Sequence, residues 1–157
     1  MTSQSRAHLA HQAYIEFLFG WMHGHSHFLT ITHRGVDVDF ASCNGREKFE
    51  ATVAHFLHRV DRKIFGRRSK RAEGRLNRLV IIESASAKSG RVHAHITLRA
   101  PGGFSHQEFN QVLRGAVKRC EMLGRQYRLE EISDPRGLAR YLAKEGLEAL
   151  VLEQPRL

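Results

Sequence analysis

Apolar residues recur along the chain with two different spacings, which predict four helices and four strands. Spacings of three and four residues indicate amphipathic helices at residues 8–20, 44–66, 105–124 and 134–146. Runs rich in β-branched and aromatic residues indicate strands at residues 26–33, 76–83, 91–99 and 126–132. Residues 84–90 are predicted to form a turn that joins the second strand to the third.

Capping residues mark where several of these helices begin and end. Ser105 and Glu108 form a capping box, in which each side chain satisfies a free backbone N–H of the other residue. Asp134 and Pro135 are a suitable N-cap and first residue for the last helix, and Gly146 is predicted to end it. Gly124 is predicted to end the helix before it.

The order of the elements predicts an α+β fold. After the first helix the chain reads β-α-β-β-α-β-α, which contains the ferredoxin-like split βαβ arrangement. We expect an antiparallel sheet of four to five strands, with the first and third strands in the centre. The helices should lie mainly on one face and the active site on the other. The 157 residues predict one domain, with a core at about 26–146.

Strand alternation gathers a candidate metal site on the open face. Val92, Ala94, Ile96 and Leu98 form the apolar side of the third strand, so His93 and His95 point the other way. Glu83 ends the neighbouring strand and shares that face. Two imidazoles and a carboxylate suit a divalent cation, Mg²⁺ or Mn²⁺, when phosphate supplies further oxygens. The other close histidines, His23, His25 and His27, are predicted to be ordinary solvated or core residues.

The last helix carries a candidate nucleophile. Tyr141 and Lys144 are three residues apart and therefore lie on one helical face. A phenol is a poor nucleophile while it keeps its proton, and a nearby cation together with a metal-bound phosphate would correct this. The two cysteines, Cys43 and Cys120, do not form a CxxC pair and are predicted to be ordinary small residues.

Three motifs in this order resemble those of HUH endonucleases, in particular the single-tyrosine rolling-circle replication initiators (Rep proteins). They are Phe28-Leu29-Thr30-Ile31-Thr32, His93-Ala94-His95 and Tyr141-Leu142-Ala143-Lys144. The resemblance implies that His93, His95 and Glu83 hold a divalent metal. It also implies that Tyr141 attacks a DNA phosphate to form a 5′-phosphotyrosine and a free 3′-OH, while Lys144 orients or neutralises that phosphate. Ala94 departs from the family, where a bulky residue is usual.

The charge of the chain favours a nucleic-acid partner. Lys and Arg number 25 and Asp and Glu 16, which gives a formal charge of +9. Nine basic residues, which we expect to follow a phosphate backbone, are concentrated between residues 59 and 78. They are Arg59, Arg62, Lys63, Arg67, Arg68, Lys70, Arg71, Arg75 and Arg78. Single-stranded DNA is the expected substrate, because in-line attack needs a backbone bent away from duplex geometry.

The remaining sequence features concern the cellular location of the protein and the alternative functions that fit it. The sequence has neither the apolar run of a membrane span nor a secretory signal, so a cytoplasmic location is expected. It has no P-loop, so any helicase would be a separate partner. A single-tyrosine transposase and a relaxase are alternatives within the superfamily, and Tyr14 is the candidate for a relaxase tyrosine. A non-catalytic nucleic-acid-binding module on a ferredoxin-like sheet is the alternative from another class.

Overall fold

The computed structural model describes residues 3–34, 43–83 and 92–151. The helices are α1 (Ser3–Trp21), α2 (Cys43–Phe65), α3 (His106–Lys118) and α4 (Pro135–Ala143). The strands are β1 (His27–His33), β2 (Arg78–Glu83), β3 (His93–Leu98), β4 (Leu123–Glu131) and β5 (Leu150–Val151). Short 3₁₀ turns occupy Gly66–Lys70, Ala72–Gly74 and Leu147–Ala149. The turn predicted at 84–90 lies outside the described residues.

The strands form one antiparallel sheet in the order β4-β1-β3-β2-β5. The first and third strands are therefore central, and the predicted ferredoxin-like α+β fold is confirmed. The short β5 adds the fifth strand by pairing with Val80 and Ile81 of β2. The register places Thr30 opposite His95 and Glu83 opposite His93, which brings polar side chains together on one face.

The main core fills the space between the sheet and the helices α2 and α3. Leu29 and Ile31 of β1 and Ala94 and Ile96 of β3 are completely buried in it. The apolar stripe of α2, which includes Phe56, packs on the same side. The predicted alternation of β3 is confirmed, because Val92, Ala94, Ile96 and Leu98 all face this core and leave His93 and His95 on the other face.

The second face of the sheet is only partly open, which differs from the expectation that helices lie mainly on one side. Helices α1 and α4 pack there, where Leu18 and Leu142 contact the cluster that contains Leu79 and Ile81 of β2. The reason is visible in β2, where four consecutive apolar residues are buried on both faces. Polar and apolar residues alternate in β3, although its polar residues His95 and Thr97 are buried as well. The open part of the second face is therefore limited to the half-buried residues Phe28 and Thr30 of β1 and His93 of β3.

Capping residues predict the ends of the helices better than glycines do. The Ser105–Glu108 capping box of α3 is present, and Asp134 accepts a hydrogen bond from the Gly137 N–H at the start of α4. The prediction that Gly124 ends a helix is wrong, because α3 ends at Lys118 and Gly124 lies in β4 with a φ of 96°. A glycine signals a left-handed backbone but not the element that contains it.

Candidate active site

The polar side chains predicted for the site meet where α4 crosses the open part of the second face. His95 lies at their centre, on the middle of β3, and its side chain is 4% exposed. Its Nε2 is 2.6 Å from Oε2 of Glu83, which ends β2. The antiparallel register explains this contact, because Glu83 is opposite His93 and therefore diagonal to His95.

Two residues of β1 fix the imidazole ring of His95. Thr30 Oγ1 lies 3.1 Å from Nδ1 of His95, and the Phe28 ring is stacked on the imidazole with 5.5 Å between ring centres. The sequence analysis gave Phe28 and Thr30 no role in the site. Their position on alternate residues of β1, on the face opposite Leu29 and Ile31, is the signal that identifies them.

Tyr141 reaches the same place from α4. Its ring meets His95 edge to face, with 5.6 Å between centres, and meets Phe28 in the same way at 6.5 Å. The Tyr141 side chain is nevertheless 44% exposed, so one side of the ring is in contact with solvent. One side of the ring is packed and the other is open to solvent, which suits a nucleophile that must reach a nucleic-acid chain.

Lys144 joins the tyrosine to the carboxylate. Its Nζ lies 4.1 Å from the centre of the Tyr141 ring and 3.4 Å from Oε1 of Glu83. A second carboxylate, that of Glu145, is 3.7 Å from the same ammonium. Because Lys144 follows the last residue of α4 directly, the helix places both members of the Tyr-x-x-Lys motif on the side that faces the sheet.

The electrostatics leave an ionised carboxylate beside a neutral imidazole at neutral pH. Burial lowers the pKa of His95, and the hydrogen bond with Glu83 opposes this only in part. Burial works to raise the pKa of Glu83, but the contacts with His95 and Lys144 outweigh it and hold that pKa below its ordinary value. Neutral imidazole and ionised carboxylate are the forms that bind metal ions.

The pKa of Lys144 is raised, which keeps its ammonium charged throughout the physiological range. Partial burial works to lower this pKa, but Tyr141 and Glu83 both stabilise the charged form and prevail. The positive charge is thus shared between the face of a phenol ring and a carboxylate. It remains 43% exposed and accessible to an anion that approaches from solvent.

Two of the three predicted metal ligands stand side by side. His95 and Glu83 offer a nitrogen and an oxygen that suit Mg²⁺ or Mn²⁺ when phosphate oxygens complete the shell. Thr30 can accept from or donate to Nδ1, so it tolerates the tautomer of His95 that leaves Nε2 free. The third ligand, His93, stays apart: its ring is parallel to that of His95, with 6.2 Å between centres.

The donor atoms of these three residues therefore do not form a closed set in this structure. Among the described residues, the histidine, cysteine and acidic side chains whose donor atoms all lie within 4.8 Å of one another are His27, His106 and Glu131. That second group lies on the other side of β1. Two of the three predicted ligands, His95 and Glu83, are therefore placed to bind one cation. His93 would join them only if its side chain turned.

Most of the nine basic residues predicted to bind nucleic acid lie away from this site. They lie along the end of α2 and the two 3₁₀ turns that follow it. This is the face of the sheet that α2 and α3 cover, whereas Tyr141 lies on the opposite face. Arg59, Arg62 and Lys63 line a groove of about 380 Å³ between α2 and α3, together with Arg119. The exposed members beyond the groove are Arg67, Arg68, Lys70, Arg71 and Arg75.

Arg78 must be removed from the predicted DNA-binding set. Its guanidinium lies 2.8 Å from Oδ2 of Asp61, and the two side chains are 7% and 1% exposed. Asp61 also accepts a hydrogen bond from the Leu76 N–H. Arg78 is thus a structural cation. The sequence could not separate it from its neighbours, because the partner is 17 residues away.

The face of the candidate site has an exposed cation of its own, which the sequence analysis did not single out. Arg128 on β4 is directly opposite Thr30, so its side chain is on the same face, where it is 74% exposed and lies 2.8 Å from Glu130. Arg140 is exposed on α4. A strand that passes over β1 would meet Arg128 on one side and Lys144 on the other.

Comparison with known protein families, characterised proteins and solved structures gives no match to this chain. The resemblance to HUH endonucleases therefore rests on the three sequence motifs. Within the described residues no helix has both the length and the apolar character that crossing a lipid bilayer requires.

Proposed function

We propose that this protein nicks and rejoins single-stranded DNA through a 5′-phosphotyrosine intermediate, as a rolling-circle replication initiator of the HUH type. The observation that carries the proposal is the contact of Tyr141 with both His95 and Lys144 on the open face of the sheet. Tyr141 and His95 come from motifs that are 46 positions apart in the sequence. Simple packing of a tyrosine does not require a lysine and a histidine–carboxylate pair around its ring.

The chemistry assigns one role to each residue. The Tyr141 oxygen attacks the scissile phosphorus, so that a new O–P bond forms while the bond from phosphorus to the 3′ oxygen breaks. The phenol loses its proton, and the departing 3′ oxygen gains one, which leaves a 3′-OH. Lys144 offers positive charge beside the ring and beside the incoming phosphate. The energy of the phosphodiester is kept in the tyrosyl link, so the strand can be rejoined.

The histidine–carboxylate pair supplies the position for a divalent metal. His95, held by Thr30 and Phe28, and Glu83, held by Lys144, would be its first two protein ligands. Mg²⁺ or Mn²⁺ bound there would polarise a phosphoryl oxygen and stabilise the charge that develops as the bond breaks. Because Lys144 contacts Glu83, the same ammonium links the proposed metal position with the nucleophile.

We infer that the substrate is single-stranded, because in-line attack needs a backbone bent away from duplex geometry. Tyr141 is 44% exposed on α4 and contacts Phe28 of β1, so a strand that lies along the half-buried part of β1 can reach it. Arg128 and Lys144 border this path. Unwinding of a duplex would come from a separate helicase, and we propose a cytoplasmic location for the protein.

The test is a search for covalent protein–DNA adducts. The full chain is incubated with labelled single-stranded oligonucleotides and Mn²⁺ and then run on a denaturing gel. We expect a denaturant-resistant adduct that disappears in Tyr141→Phe and after chelation of the metal. Tyr14→Phe is the matched control, because Tyr14 is half-buried on α1 and is the tyrosine that a relaxase mechanism would use. It should keep the adduct.

The outcomes separate the alternatives. An adduct lost in Tyr14→Phe instead of Tyr141→Phe would favour a relaxase. Metal-independent DNA binding that is the same in Tyr141→Phe and the unaltered protein, with no adduct on any oligonucleotide, would favour the non-catalytic binding module. Comparison of a plasmid origin with a transposon end as substrate then distinguishes a replication initiator from a single-tyrosine transposase.

A further inference from the structure

A second group of metal-ligating side chains lies where β1, β4 and α3 meet. His27 is the first residue of β1, Glu131 is the last residue of β4, and the two are directly opposite each other in the sheet. His106 is the first residue of α3. The donor atoms of all three lie within 4.8 Å of one another. The sequence analysis predicted His27 to be an ordinary residue and did not consider the other two.

The two imidazoles are within hydrogen-bond distance of each other, and this separation is also compatible with a shared metal ion. Nε2 of His27 and Nδ1 of His106 are 3.1 Å apart. Zinc binds imidazole nitrogen at about 2.0–2.1 Å with tetrahedral angles, which places two such nitrogens roughly 3.3 Å from each other. The Glu131 carboxylate is the third donor. Two nitrogens and one oxygen favour a transition metal such as Zn²⁺ over Mg²⁺, which prefers oxygen ligands.

The surroundings of His27 support one defined orientation of its ring. Nδ1 lies 2.8 Å from Ser26 Oγ, which itself accepts a hydrogen bond from the Ala100 N–H. When Nδ1 donates its proton to Ser26, the lone pair of Nε2 points towards His106 and is free for a metal. The Phe109 ring packs edge to face against the other side of His27, with 5.1 Å between centres.

Access and charge are both compatible with an ion. His27 is buried, His106 is half-buried and Glu131 is exposed, so the group is packed on its inner side and open to solvent on its outer side. The N-terminal end of α3 carries partial positive charge, which opposes a cation. The carboxylates of Glu131 and of Glu108, which lies in the first turn of α3, supply negative charge against it.

We propose that His27, His106 and Glu131 bind a transition-metal ion of the Zn²⁺ type, with water as the fourth ligand, and that this ion fastens α3 to the edge of the sheet. The site is separate from the candidate active site, because His27 points to the α3 side of β1 while its neighbour Phe28 points to His95. The proposal does not rest on DNA nicking and would stand without it.

The experiment measures Zn²⁺ and Co²⁺ binding to the metal-free full chain. Zn²⁺ affinity is measured in competition with a chromophoric chelator, and Co²⁺ is followed by its visible absorption. The background is the double variant His93→Ala/Glu83→Gln, which removes two of the donors predicted for the active site. We expect this background to bind one equivalent of Zn²⁺ and to show the absorption of a four-coordinate Co²⁺ site.

Two further variants in that background decide the matter. We expect His106→Gln and Glu131→Gln each to weaken Zn²⁺ binding at least tenfold, while His23→Gln, at an exposed histidine four positions before His27, leaves it unchanged. The proposal is overturned if the background binds no Zn²⁺, or if Glu131→Gln binds as tightly as the background. Glu131 is exposed, so its variant is expected to fold even if His106→Gln does not. Adduct formation with DNA is measured separately and tests only the nicking function.

Discussion

The two ends of β2 carry two ion pairs of opposite character. At the first end, Arg78 and Asp61 are almost fully buried, and Asp61 also accepts the Leu76 N–H. At the last end, Glu83 is 20% exposed and is shared between His95 and Lys144. Each pair joins a carboxylate to a cation, and the two pairs lie at opposite ends of a strand of only six residues.

The difference between these pairs shows how a structural ion pair can be told from a candidate site. The carboxylate of Asp61 has fixed partners on both oxygens and no opening to solvent. Glu83 has partners that are themselves reactive, namely an imidazole and a lysine that also touches an exposed phenol. Removing a charge should therefore lower the stability of the protein at the first end and its metal-dependent activity at the second.

The largest effect is expected from Asp61→Asn. The substitution removes the Asp61 charge from beside the buried Arg78 guanidinium, which costs about 3–5 kcal/mol of unfolding free energy and lowers Tm by roughly 10 °C. Thermal and urea denaturation measure it. Glu73→Gln is the control, because Glu73 faces Arg71 at 3.8 Å with both side chains more than two-thirds exposed. This control substitution should change stability by less than about 0.5 kcal/mol.

Glu83→Gln should have the opposite profile. The amide keeps the size of the side chain and can still accept a hydrogen bond from His95, so we expect Tm to remain close to that of the unaltered protein. Loss of the negative charge removes a metal ligand, and the Mn²⁺ concentration needed for half-maximal adduct formation should rise at least tenfold. If Glu83→Gln lowers Tm as much as Asp61→Asn does, the contrast between the two ends of β2 is wrong.

A matched variant shows whether this effect belongs to Glu83 or to any acid near Lys144. Glu145 lies 3.7 Å from the same ammonium, whereas the carboxylate bonded to His95 is that of Glu83. Glu145→Gln should therefore shift the Mn²⁺ requirement much less than Glu83→Gln. Equal shifts in both variants would assign the effect to the charge balance of Lys144 rather than to metal ligation.

Much of the fold was predictable because local patterns and tertiary packing agree. The alternation in β3 and the caps at Ser105 and Asp134 led to elements that the structure confirms. The position of α1 and α4 was not predicted, although the four apolar residues Leu79–Ile82 already indicate a strand that is buried on both faces. Gly124 misled the prediction, since its positive φ serves a strand irregularity rather than a helix end.

The candidate site was predictable only in part, and Glu83 was found by strand alternation rather than by a motif. Glu83, His95, Tyr141 and Lys144 do meet, as strand parity and helical spacing suggested. Which residue orients His95 depends on the register between β1 and β3, and a single sequence does not give that register. For the same reason the cluster of His27, His106 and Glu131 could not be found, because its members are 25 to 104 positions apart.

A smaller effect is expected where α4 begins. The carboxylate of Asp134 accepts the Gly137 N–H, and α4 then carries Tyr141 and Lys144 into the site. Asp134→Ala should cost about 1 kcal/mol of unfolding free energy, whereas Asp134→Asn keeps the cap and should cost a few tenths. Urea denaturation measures both. An equal loss in the two variants would show that the charge of Asp134, rather than its capping bond, supports the helix.

The smallest effects concern individual cations that bind phosphate, and they test which exposed cations a strand meets. Removing one cation that neutralises a phosphate should reduce the slope of log affinity against log salt concentration by about 0.7 for single-stranded DNA. With an oligonucleotide of about 8 nucleotides, which covers one small site, Arg128→Ala should lower the slope, because Arg128 lies on the face of Tyr141.

Arg67→Ala/Arg68→Ala should leave the binding of that short oligonucleotide unaffected and lower the slope only for strands long enough to pass around the sheet to the end of α2. If the double variant already weakens binding of the short oligonucleotide while Arg128→Ala does not, DNA binds on the face of the sheet that α2 and α3 cover. The contact between Tyr141 and His95 would then have to be explained by packing alone.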